Sequence, residues 1–418
     1  MKTSGLGFAD RAITEADARH ICAEAFDSWQ VRGRKVLVII PDATRSCPLG
    51  MMFRLVQDAA VEAAQLDFMV ALGTHPPMTM EQIYARVEIC ESEHRLKYSR
   101  TRFFNHEWNN PQALFEVGRL SRAEVSELTG GLFEMEVGVS INRMVLDYDL
   151  LIILGPVFPH EVVGFSGGNK YLFPGIAGAE ILNFFHWLGA VITNPMIIGN
   201  KWTPVRKVVD RAAALLKVER KALCMVVNGT ELSGLYAGTP EAAWEKAAHL
   251  SEQIHIKFKD KPFHTVLSCA PKMYDDLWVG AKCMYKLEPV VADGGTLIIY
   301  APHITEVSVS HGRLIEELGY HTRDYFLKQW ERFKGYPWGV LAHSTHVRGI
   351  GTYENGVEKG RVNVVLATGI PESVCRKINM GWMDYRKINP ADYAGREAEG
   401  ILYVPKAGEI LYRLKKET

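Results

Sequence analysis

Two histidines and a lysine flank a glycine-rich stretch near the middle of the chain. His160, Lys170 and His186 are separated by 10 and 16 residues. The glycines between them are Gly164, Gly167, Gly168, Gly175 and Gly178. Glycine lets the backbone approach a ligand closely, lysine can bind a phosphate or bond covalently to a carbonyl-type group, and imidazole can bind a metal or transfer a proton. This combination predicts a binding or catalytic site.

The same stretch has the length of a phosphate-binding P-loop but lacks its chemistry. Gly164 and Lys170 have the P-loop spacing. Asn169 replaces the second glycine of that motif, and Tyr171 replaces the hydroxyl residue that would hold magnesium. A structural turn would explain the glycines without requiring the lysine. The pattern therefore does not favour nucleotide hydrolysis.

Other side chains could take part in chemistry, and each also has a plainer explanation. Arg45 in the segment PDATR carries a planar guanidinium that suits a carboxylate, whereas Asp42 could simply close a turn. His75 precedes two prolines, where a turn histidine is as plausible as a catalytic one. Lys282 follows Trp278 by four residues, on one predicted helix face where a lysine is often only solvated.

Several histidines have weaker claims when considered alone. His186 lies in an apolar helical pattern, which is more typical of a core residue than of a metal ligand. Four others lack the spacing of a common zinc motif, and we expect them at the surface or around a site: His303, His311, His343 and His346. Asp276 is expected to begin a helix rather than to act as an acid.

The elements that must position these residues alternate between strands and helices. Apolar runs bounded by turn residues predict strands at residues 35–41, 67–72, 150–154, 223–227, 264–269, 296–300 and 362–367. Helical patterns cover residues 51–65, 78–86, 179–191, 204–216, 240–253, 276–292 and 323–333. This alternation predicts an α/β protein with largely parallel sheets, whose ligands bind where strands end and helices begin.

A polar segment at residues 257–262 suggests a linker between two α/β domains. We expect an N-terminal domain at residues 1–260 that carries the lysine and the histidines. A C-terminal domain at residues 261–418 would contribute substrate-binding residues. The last segment, residues 401–414, is predicted to form a strand that packs back on the first domain. The active site is expected in the cleft between the domains.

The composition excludes several classes of partner. Charges balance at 48 basic and 48 acidic residues, which argues against a nucleic-acid groove. No apolar run is long enough to span a bilayer, and the first residues lack the apolar core of a signal peptide. The seven cysteines include no CxxC pair, so neither a zinc knuckle nor a disulfide framework is favoured. A reduced, cytoplasmic enzyme without nucleic-acid or membrane partners is expected.

Taken together, the segments resemble the nickel-pincer-dependent lactate racemase family of 2-hydroxyacid racemases and epimerases. The resemblance covers most of the chain, in the order DATR, GTHPPMT, HEVVGFSGGNKYLFPGIAG, PKMYDDLWVGAK, GGTLII and YPW. The family pairs a catalytic histidine with a cofactor-bearing lysine ten residues later and a nickel-binding histidine sixteen residues after that. The spacings around Lys170 match both intervals.

The resemblance implies a nickel-pincer nucleotide, a pyridinium-3-thioamide-5-thiocarboxylic acid mononucleotide nickel complex, attached covalently to Lys170. It implies His186 as the protein ligand of nickel, and His75 and His160 as the acid/base pair. Residues implied in cofactor binding are Thr44, Gly167 and Gly168, and those implied in substrate binding are Arg45, Lys282, Trp278 and Trp338. Cofactor-biosynthesis proteins would be maturation partners.

The reaction implied by the resemblance inverts C2 of a 2-hydroxy acid. A hydride leaves Cα for the pyridinium ring while one histidine takes the hydroxyl proton. The hydride then returns to either face of the planar keto acid, and the opposite histidine supplies the proton. Imidazole suits both roles because its pKa lies near working pH.

Departures from the lactate racemase pattern lie near the implied substrate pocket. Trp278-Val279 replaces a Tyr-Gln pair, and Asn169 replaces an arginine. The chain also carries an inserted segment, FFNHEWNN, at residues 103–110. We therefore expect a 2-hydroxy acid larger than lactate, such as a sugar acid, with Trp278 stacking on its carbon chain and an asparagine or histidine of the insertion contacting hydroxyls.

Two alternatives remain open on the sequence. Lys170 would also suit a Schiff-base enzyme that needs no metal. A protein that only binds or carries a mononucleotide or a hydroxy acid would need neither His75 nor His160. The oligomeric state and the identity of the hydroxy acid are not specified by any motif.

Overall fold

The computed structural model describes residues 3–415, which form two compact units. The first unit runs to Phe158 and adds Phe165–Leu182 and Pro204–Ile254. The second unit comprises Pro159–Gly164, Asn183–Thr203 and the chain from His255 onward. Both units are α/β in construction, which confirms the fold class predicted from the alternating pattern.

A seven-stranded sheet lies at the centre of the first unit. Its strands, in sheet order, are Ser4–Gly7, Glu231–Gly238, Glu219–Asn228, Leu150–Pro156, Lys35–Pro41, Gln65–Ala71 and Phe103–Asn105. Only the two pairings of Glu231–Gly238 are antiparallel. The central strands are apolar and buried along their length, as parallel strands covered on both faces require. A separate antiparallel pair joins Leu114–Leu120 and Val137–Asn142.

The second unit contains a five-stranded, wholly parallel sheet. In sheet order its strands are Gly381–Trp382, Asn363–Thr368, Val291–Ala301, Phe263–Cys269 and Ile401–Val404. Two smaller pairs accompany it, Ile256–Lys259 with Leu411–Leu414 and Gly351–Glu354 with Val357–Gly360. The short strands Pro159–His160 and Gly164–Phe165 complete the set within the described residues.

Helices follow most of the strands. The α-helices are Glu15–Ser28, Leu49–Ala59, Met80–Arg86, Glu91–Lys97, Arg122–Thr129, Ala179–Ile192, Asn194–Ile197, Pro204–Leu215, Pro240–His255, Leu277–Gly280, Lys282–Tyr285, Gly312–Leu318, Arg323–Leu327, Trp330–Phe333, Trp338–Arg348 and Glu372–Lys377. The 3-10 helices are Pro111–Ala113, Arg143–Asp147, Gly168–Tyr171, Glu288–Val290, Tyr385–Lys387, Pro390–Tyr393 and Glu397–Glu399. Within the described chain, no helix is long and apolar enough to cross a membrane.

The division of the chain differs from the expected domains 1–260 and 261–418. His160 and His186 belong to the second unit, because Pro159–Gly164 and Asn183–Thr203 pack there. The expectation for residues 401–414 is also corrected. Ile401–Val404 extends the five-stranded sheet and Leu411–Leu414 pairs with Ile256–Lys259, so this segment packs on the second unit.

Two predicted helices are broken in the structure. Residues 276–292 form two single turns and a 3-10 turn, interrupted at Ala281 and before Pro289. Residues 323–333 form Arg323–Leu327 and Trp330–Phe333. The prediction that Asp276 begins a helix is confirmed, since its side chain accepts a hydrogen bond from the Val279 amide.

Candidate functional site

The loops that follow two neighbouring parallel strands bring an aspartate and a histidine together. Lys35–Pro41 and Gln65–Ala71 pair in register, with Pro41 opposite Ala71. The segments that follow therefore begin at the same edge of the sheet. His75 Nδ1 lies 2.5 Å from Asp42 Oδ2, and the side chain of Asp42 is only 10% exposed.

The Asp42 carboxylate is held in its ionised form. Burial alone would raise the pKa of this carboxyl, but the charge and hydrogen bond of His75, with the charge of Arg45, outweigh burial and leave the pKa below its usual range. Thr44 adds two hydrogen bonds to Asp42 Oδ1, from its amide at 3.0 Å and its hydroxyl at 2.7 Å. Because Asp42 can only accept, the proton lies on Nδ1 of His75, which leaves Nε2 as the basic atom of the neutral ring.

Two distant side chains fix this loop pair. Arg86 donates to the Asp42 carbonyl from Nε at 3.0 Å and to the Arg45 carbonyl from Nη2 at 2.8 Å. Trp108 Nε1 donates to the carbonyl of His75 at 3.2 Å. The sequence analysis missed both residues, since their partners are more than thirty positions away along the chain.

Tyr171, which breaks the P-loop pattern, is a half-buried residue near the same loops. Burial raises the pKa of its phenol well above the ordinary value, and Arg45 is close enough to lower that pKa in part. A Cβ placed on Gly155 would lie 2.1 Å from the Tyr171 hydroxyl. Gly155, at the end of the strand Leu150–Pro156, is therefore needed to leave room for the phenol.

Lys170 lies on a 3-10 turn, Gly168–Tyr171, whose entry depends on glycine. Gly167 and Gly168 have φ values of 86° and 58°, a region that favours glycine. A Cβ on Gly168 would lie 2.9 Å from Trp244 Cβ, and a Cβ on Gly167 would lie 2.5 Å from Val157 Cγ2. Backbone conformation and packing thus account for both glycines and fix the direction of the chain at Lys170.

The base of this turn is anchored by buried polar groups. Asn169, 1% exposed, donates from Nδ2 to Asp210 Oδ1 at 3.0 Å and to Glu241 Oε1 at 2.7 Å. Arg206 donates to the carbonyls of Phe165 and Gly167.

Arg206 is itself held in place by packing. Its guanidinium lies 4.0 Å from the Trp244 ring centroid, and burial lowers the pKa of Arg206 to about 10. Asn169 and Arg206 are therefore structural supports of the half-buried Lys170, and the sequence did not reveal the role of Arg206.

In the second unit, His160 is held by the backbone. It is 6% exposed, and its Nδ1 accepts a hydrogen bond from the Val162 amide at 3.1 Å. Glu161 Oε2 lies 3.3 Å from the same nitrogen. Because the Val162 amide can only donate, the proton of the neutral His160 ring lies on Nε2. This tautomer is opposite to that of His75.

His186 is a half-buried residue of the helix Ala179–Ile192, with its ring centroid 4.3 Å from that of Phe185. Among residues 3–415, no group of three or more histidine, cysteine, aspartate or glutamate side chains is arranged to hold a metal by itself.

The other predicted substrate-binding residues also lie in the second unit. Trp278 stacks on His343, with ring centroids 3.9 Å apart, and His311 lies 4.5 Å from Trp278 at a tilt. Lys282 Nζ lies 4.6 Å from the Tyr274 ring centroid. Burial lowers the pKa of His343 to about 3, so this ring is neutral.

Trp338 begins the helix Trp338–Arg348, and its Nε1 donates to the Lys334 carbonyl at 3.1 Å. Its ring lies 5.4 Å from that of Trp330. Trp338 is therefore part of an aromatic group within its own unit.

Two side chains of the inserted segment at residues 103–110, Asn105 and His106, bond to the protein backbone instead of being available for substrate contacts. Asn105 exchanges hydrogen bonds with the backbone of Met78. His106 is 1% exposed, bonds to the Ala177 carbonyl at 3.1 Å and has its pKa lowered by burial to about 4. The expectation for these two side chains is thus corrected, because both are used inside the first unit.

Comparisons with known proteins identify chains that are similar to this one. The model of the lactate racemase N-terminal domain matches residues 8–196. Two curated lactate racemases, from Thermoanaerobacterium thermosaccharolyticum and Lactiplantibacillus plantarum, are each 25% identical, over 67% and 65% of this chain. The matched stretches cover 62% and 61% of those relatives, which is less than two thirds of their length.

Two solved structures have the same fold. A crystal structure of a Thermotoga maritima protein is 34% identical, with a TM-score of 0.89 over 98% of this chain and 100% of that chain. The lactate racemase apoprotein from Thermoanaerobacterium thermosaccharolyticum is 19% identical, with a TM-score of 0.71 over 96% of this chain and 93% of that one. These matches support a relation of the chain to the lactate racemase family.

Proposed function

We propose that this protein is an isomerase that inverts C2 of a 2-hydroxy acid. The observation that carries the proposal is the 2.5 Å contact between His75 Nδ1 and the buried Asp42 carboxylate, in the loop that also bears Arg45. A carboxylate that fixes the tautomer of an imidazole prepares the opposite ring nitrogen to accept a proton. A protein that only binds a ligand has no need of such a pair.

The two histidines have complementary protonation. His75 presents Nε2 as the basic atom, so we assign it the hydroxyl proton of one enantiomer. His160 carries its proton on Nε2 when neutral, because Nδ1 accepts the Val162 amide. We assign the imidazolium form of His160 the return of a proton in the same direction, because loss of a proton from this form leaves a neutral ring. In the reverse reaction the two residues exchange these roles.

Arg45 and Lys282 are assigned to the substrate carboxylate. The guanidinium of Arg45 can pair with both carboxylate oxygens, and its backbone is fixed by Arg86. Holding the carboxylate would keep the reacting carbon in position. Trp338 is proposed to line the substrate region, in keeping with its half-buried position.

The donor set is compatible with a nickel-pincer nucleotide. One imidazole from His186 is the only protein ligand such a group requires, and soft donors on the group itself suit nickel. We propose attachment at Lys170, with Thr44, Gly167 and Gly168 as binding residues. When bound, the group supplies a pyridinium ring that accepts and returns a hydride. Cofactor-biosynthesis proteins would be needed for maturation.

The substrate is proposed to be larger than lactate and to carry several hydroxyls. Support comes from the aromatic group of Trp278, His311 and His343, which offers flat surfaces and ring nitrogens to a sugar-acid chain. The sequence analysis did not single out His343 as a substrate-binding residue. We also propose a cytoplasmic location, where cysteines stay reduced, since none of the seven cysteines forms a disulfide among the described residues.

The test combines composition with catalysis. Protein produced together with a cofactor-synthesis pathway is examined by intact mass and metal analysis, and racemisation is followed for lactate, malate and aldonic acids. We expect a cofactor-sized mass increment lost in Lys170→Ala, nickel lost in His186→Ala, and turnover of at least one aldonic acid. Activity in protein that contains no nickel, trapped by borohydride at Lys170, would instead establish a Schiff-base enzyme.

Activity with lactate alone would overturn the proposed substrate class while leaving the reaction intact. Binding of a hydroxy acid without any inversion in nickel-loaded protein would reject the isomerase assignment. A useful control is His20→Gln, because His20 is exposed and its ion pair in the described part of the chain is with Glu24 of its own helix. This variant is expected to match the parent in mass, nickel content and rate.

A further inference from the structure

A buried lysine in the second unit has a position that the proposed reaction does not explain. Lys286 is 3% exposed and directly follows the helical turn Lys282–Tyr285. A buried ammonium group costs free energy unless hydrogen bonds satisfy it. The hydrogen bonds of Lys286 therefore indicate why a lysine, rather than an apolar residue, lies at this place.

One partner of Lys286 is the peptide group that leads into His160. Lys286 Nζ donates to the carbonyl of Pro159 at 2.6 Å. This carbonyl lies in the same planar peptide unit as the nitrogen and Cα of His160. A hydrogen bond from a charged donor is about twice as strong as one between neutral groups. The contact therefore fixes the backbone plane from which the His160 side chain projects.

The C-terminal segment holds Lys286 in turn. Nζ also donates to the carbonyl of Glu409 at 3.0 Å, and the backbone carbonyl of Lys286 accepts from the Tyr412 amide at 2.9 Å. These partners lie in and just before the strand Leu411–Leu414, which pairs with Ile256–Lys259. Side chain and backbone of Lys286 are thus bound to one segment, which limits movement of the ammonium group away from Pro159.

The same residue is joined to Lys282. The Lys286 amide donates to the Lys282 carbonyl at 3.4 Å, across a single helical turn. Lys282 is assigned to the substrate carboxylate, and His160 to a proton of the hydroxyl on the adjacent carbon. Groups that act on neighbouring substrate atoms need a fixed spacing. Lys286 bonds through its backbone to Lys282 and through its side chain to the peptide group before His160.

The other printed contacts of the His160 ring do not supply this link. The Val162 amide lies 3.1 Å from Nδ1, and Glu161 Oε2 lies 3.3 Å from the same nitrogen. Both residues belong to the segment Pro159–Gly164 and would move with it. They orient the ring relative to that segment, whereas Lys286 bonds the start of the segment to a separate part of the second unit.

We propose that Lys286 is a positioning residue that holds His160 at a fixed spacing from Lys282. The inference rests on the proposed function, because it uses the roles assigned to these two residues. Lys286 itself is not assigned a contact with the substrate. Loss of its side chain should release the peptide group before His160, while Lys282 stays in its helical turn. Proton transfer should therefore suffer more than substrate binding.

The kinetic test uses parent, Lys286→Met and Lys286→Gln, all produced with the cofactor-synthesis pathway and matched for nickel content. Rates are measured with whichever of lactate, malate or the aldonic acids the parent inverts. We expect kcat of Lys286→Met to fall at least about tenfold, with KM changed less than about threefold. Lys286→Gln keeps a neutral donor and should lie between Lys286→Met and the parent.

Lys377→Met is the matched control, because Lys377 is an exposed lysine of the same unit, paired with Glu316 at 2.9 Å. It should retain parental kcat and KM. A parental kcat in Lys286→Met would overturn the positioning role. A loss that appears in KM alone would also overturn it, because substrate binding would then depend on Lys286 instead of proton transfer.

A second measurement does not depend on turnover. The protein is labelled with ¹³C-histidine, and the NMR signal of His160 is identified by its absence from His160→Ala. In Lys286→Met this signal should shift or broaden, while the signal of His75 stays unchanged. An unchanged His160 signal would overturn the proposal, and so would equal changes at both histidines, which would indicate a general loosening of the fold.

Failure of this inference and failure of the proposed function give different results. A nickel-loaded parent that inverts none of the acids rejects the proposed function, and the NMR comparison still decides whether Lys286 positions His160. If Lys286→Met does not fold, Lys286→Gln with parental circular dichroism takes its place in both measurements. The same shift of the His160 signal is expected there, with a smaller amplitude.

Discussion

The two histidines assigned to proton transfer differ in what holds them. His75 is 28% exposed on its side chain and is oriented by the Asp42 carboxylate. His160 is 6% exposed and is oriented by the Val162 amide, two residues along the chain. One ring is therefore positioned by a distant side chain, and the other by its own backbone.

This difference sets the resting tautomers in opposite directions. A carboxylate accepts the proton of Nδ1, whereas an amide donates to Nδ1, so the neutral ring of His75 has an unprotonated Nε2 and the neutral ring of His160 has a protonated Nε2. The comparison also predicts unequal sensitivity to neighbouring mutations. The Asp42 side chain that orients His75 can be replaced by mutation, whereas the Val162 amide that orients His160 cannot.

The largest expected effect comes from removing either imidazole. His75→Ala and His160→Ala should each lower the rate of inversion by about 10²–10⁴-fold, because each loses one acid/base group. The double variant should be little slower than either single variant, since the two groups serve one reaction. The measurement is the rate of chiral inversion by protein with matched nickel content.

The same pair of variants can break the comparison. If His160→Ala retains more than a tenth of the parental rate in both directions while His75→Ala does not, a single base suffices and the two regions do not share the reaction. Nickel content serves as the internal control, because neither residue is assigned to the metal.

A smaller effect is expected at Asp42. Asp42→Asn keeps the size of the side chain but no longer fixes the proton on His75 Nδ1, so inversion should slow by roughly 10–100-fold. The matched change beside His160 is Glu161→Gln. It should alter the rate by less than about threefold, because the Val162 amide still orients the ring. Equal losses in the two variants would contradict the comparison.

Asp42→Asn also predicts a change in the pH dependence of stability. The pKa of the Asp42 carboxyl is lowered in the folded protein, so its contribution is present above the unfolded pKa of about 3.9 and is lost as the pH falls through the folded value. The variant should be less stable by about 1–3 kcal/mol at pH 7, and the gap should shrink below pH ~4. Chemical unfolding at both pH values measures it.

Much of the first unit follows from local sequence. The apolar runs at residues 35–41 and 150–154 predicted buried parallel strands, which the structure contains. Those predictions rest on patterns within a few residues. They needed no knowledge of long-range packing. The contact between Asp42 and His75 became apparent only from the structure.

The features that the sequence did not predict share a physical cause, which is that the contacting residues are far apart along the chain. Arg86 and Arg206 look like ordinary residues in their own helices, and only tertiary contacts give them their roles. The division into units was missed for the same reason, because Asn183–Thr203 continues a helix that begins in the first unit. The break at Ala281 directly follows Gly280, a poor helix former within an otherwise helical pattern.

The smallest expected effect concerns Arg86, which bonds to the loop that carries Asp42, the partner of His75. Arg86→Lys keeps the charge but cannot donate to the carbonyls of Asp42 and Arg45 together. Losing one such hydrogen bond costs about 1 kcal/mol, so kcat/KM should fall roughly 3–10-fold, mainly through KM if Arg45 binds the substrate carboxylate.

Arg54→Lys is the control, because among residues 3–415 Arg54 bonds only to Glu88 and is half exposed. If both variants behave like the parent, the loop does not need Arg86, and the contrast between a ring held by side chains and a ring held by backbone is reduced to the Asp42 contact. A fall in kcat/KM in Arg86→Lys but not in Arg54→Lys would show that Arg86 also helps to position His75.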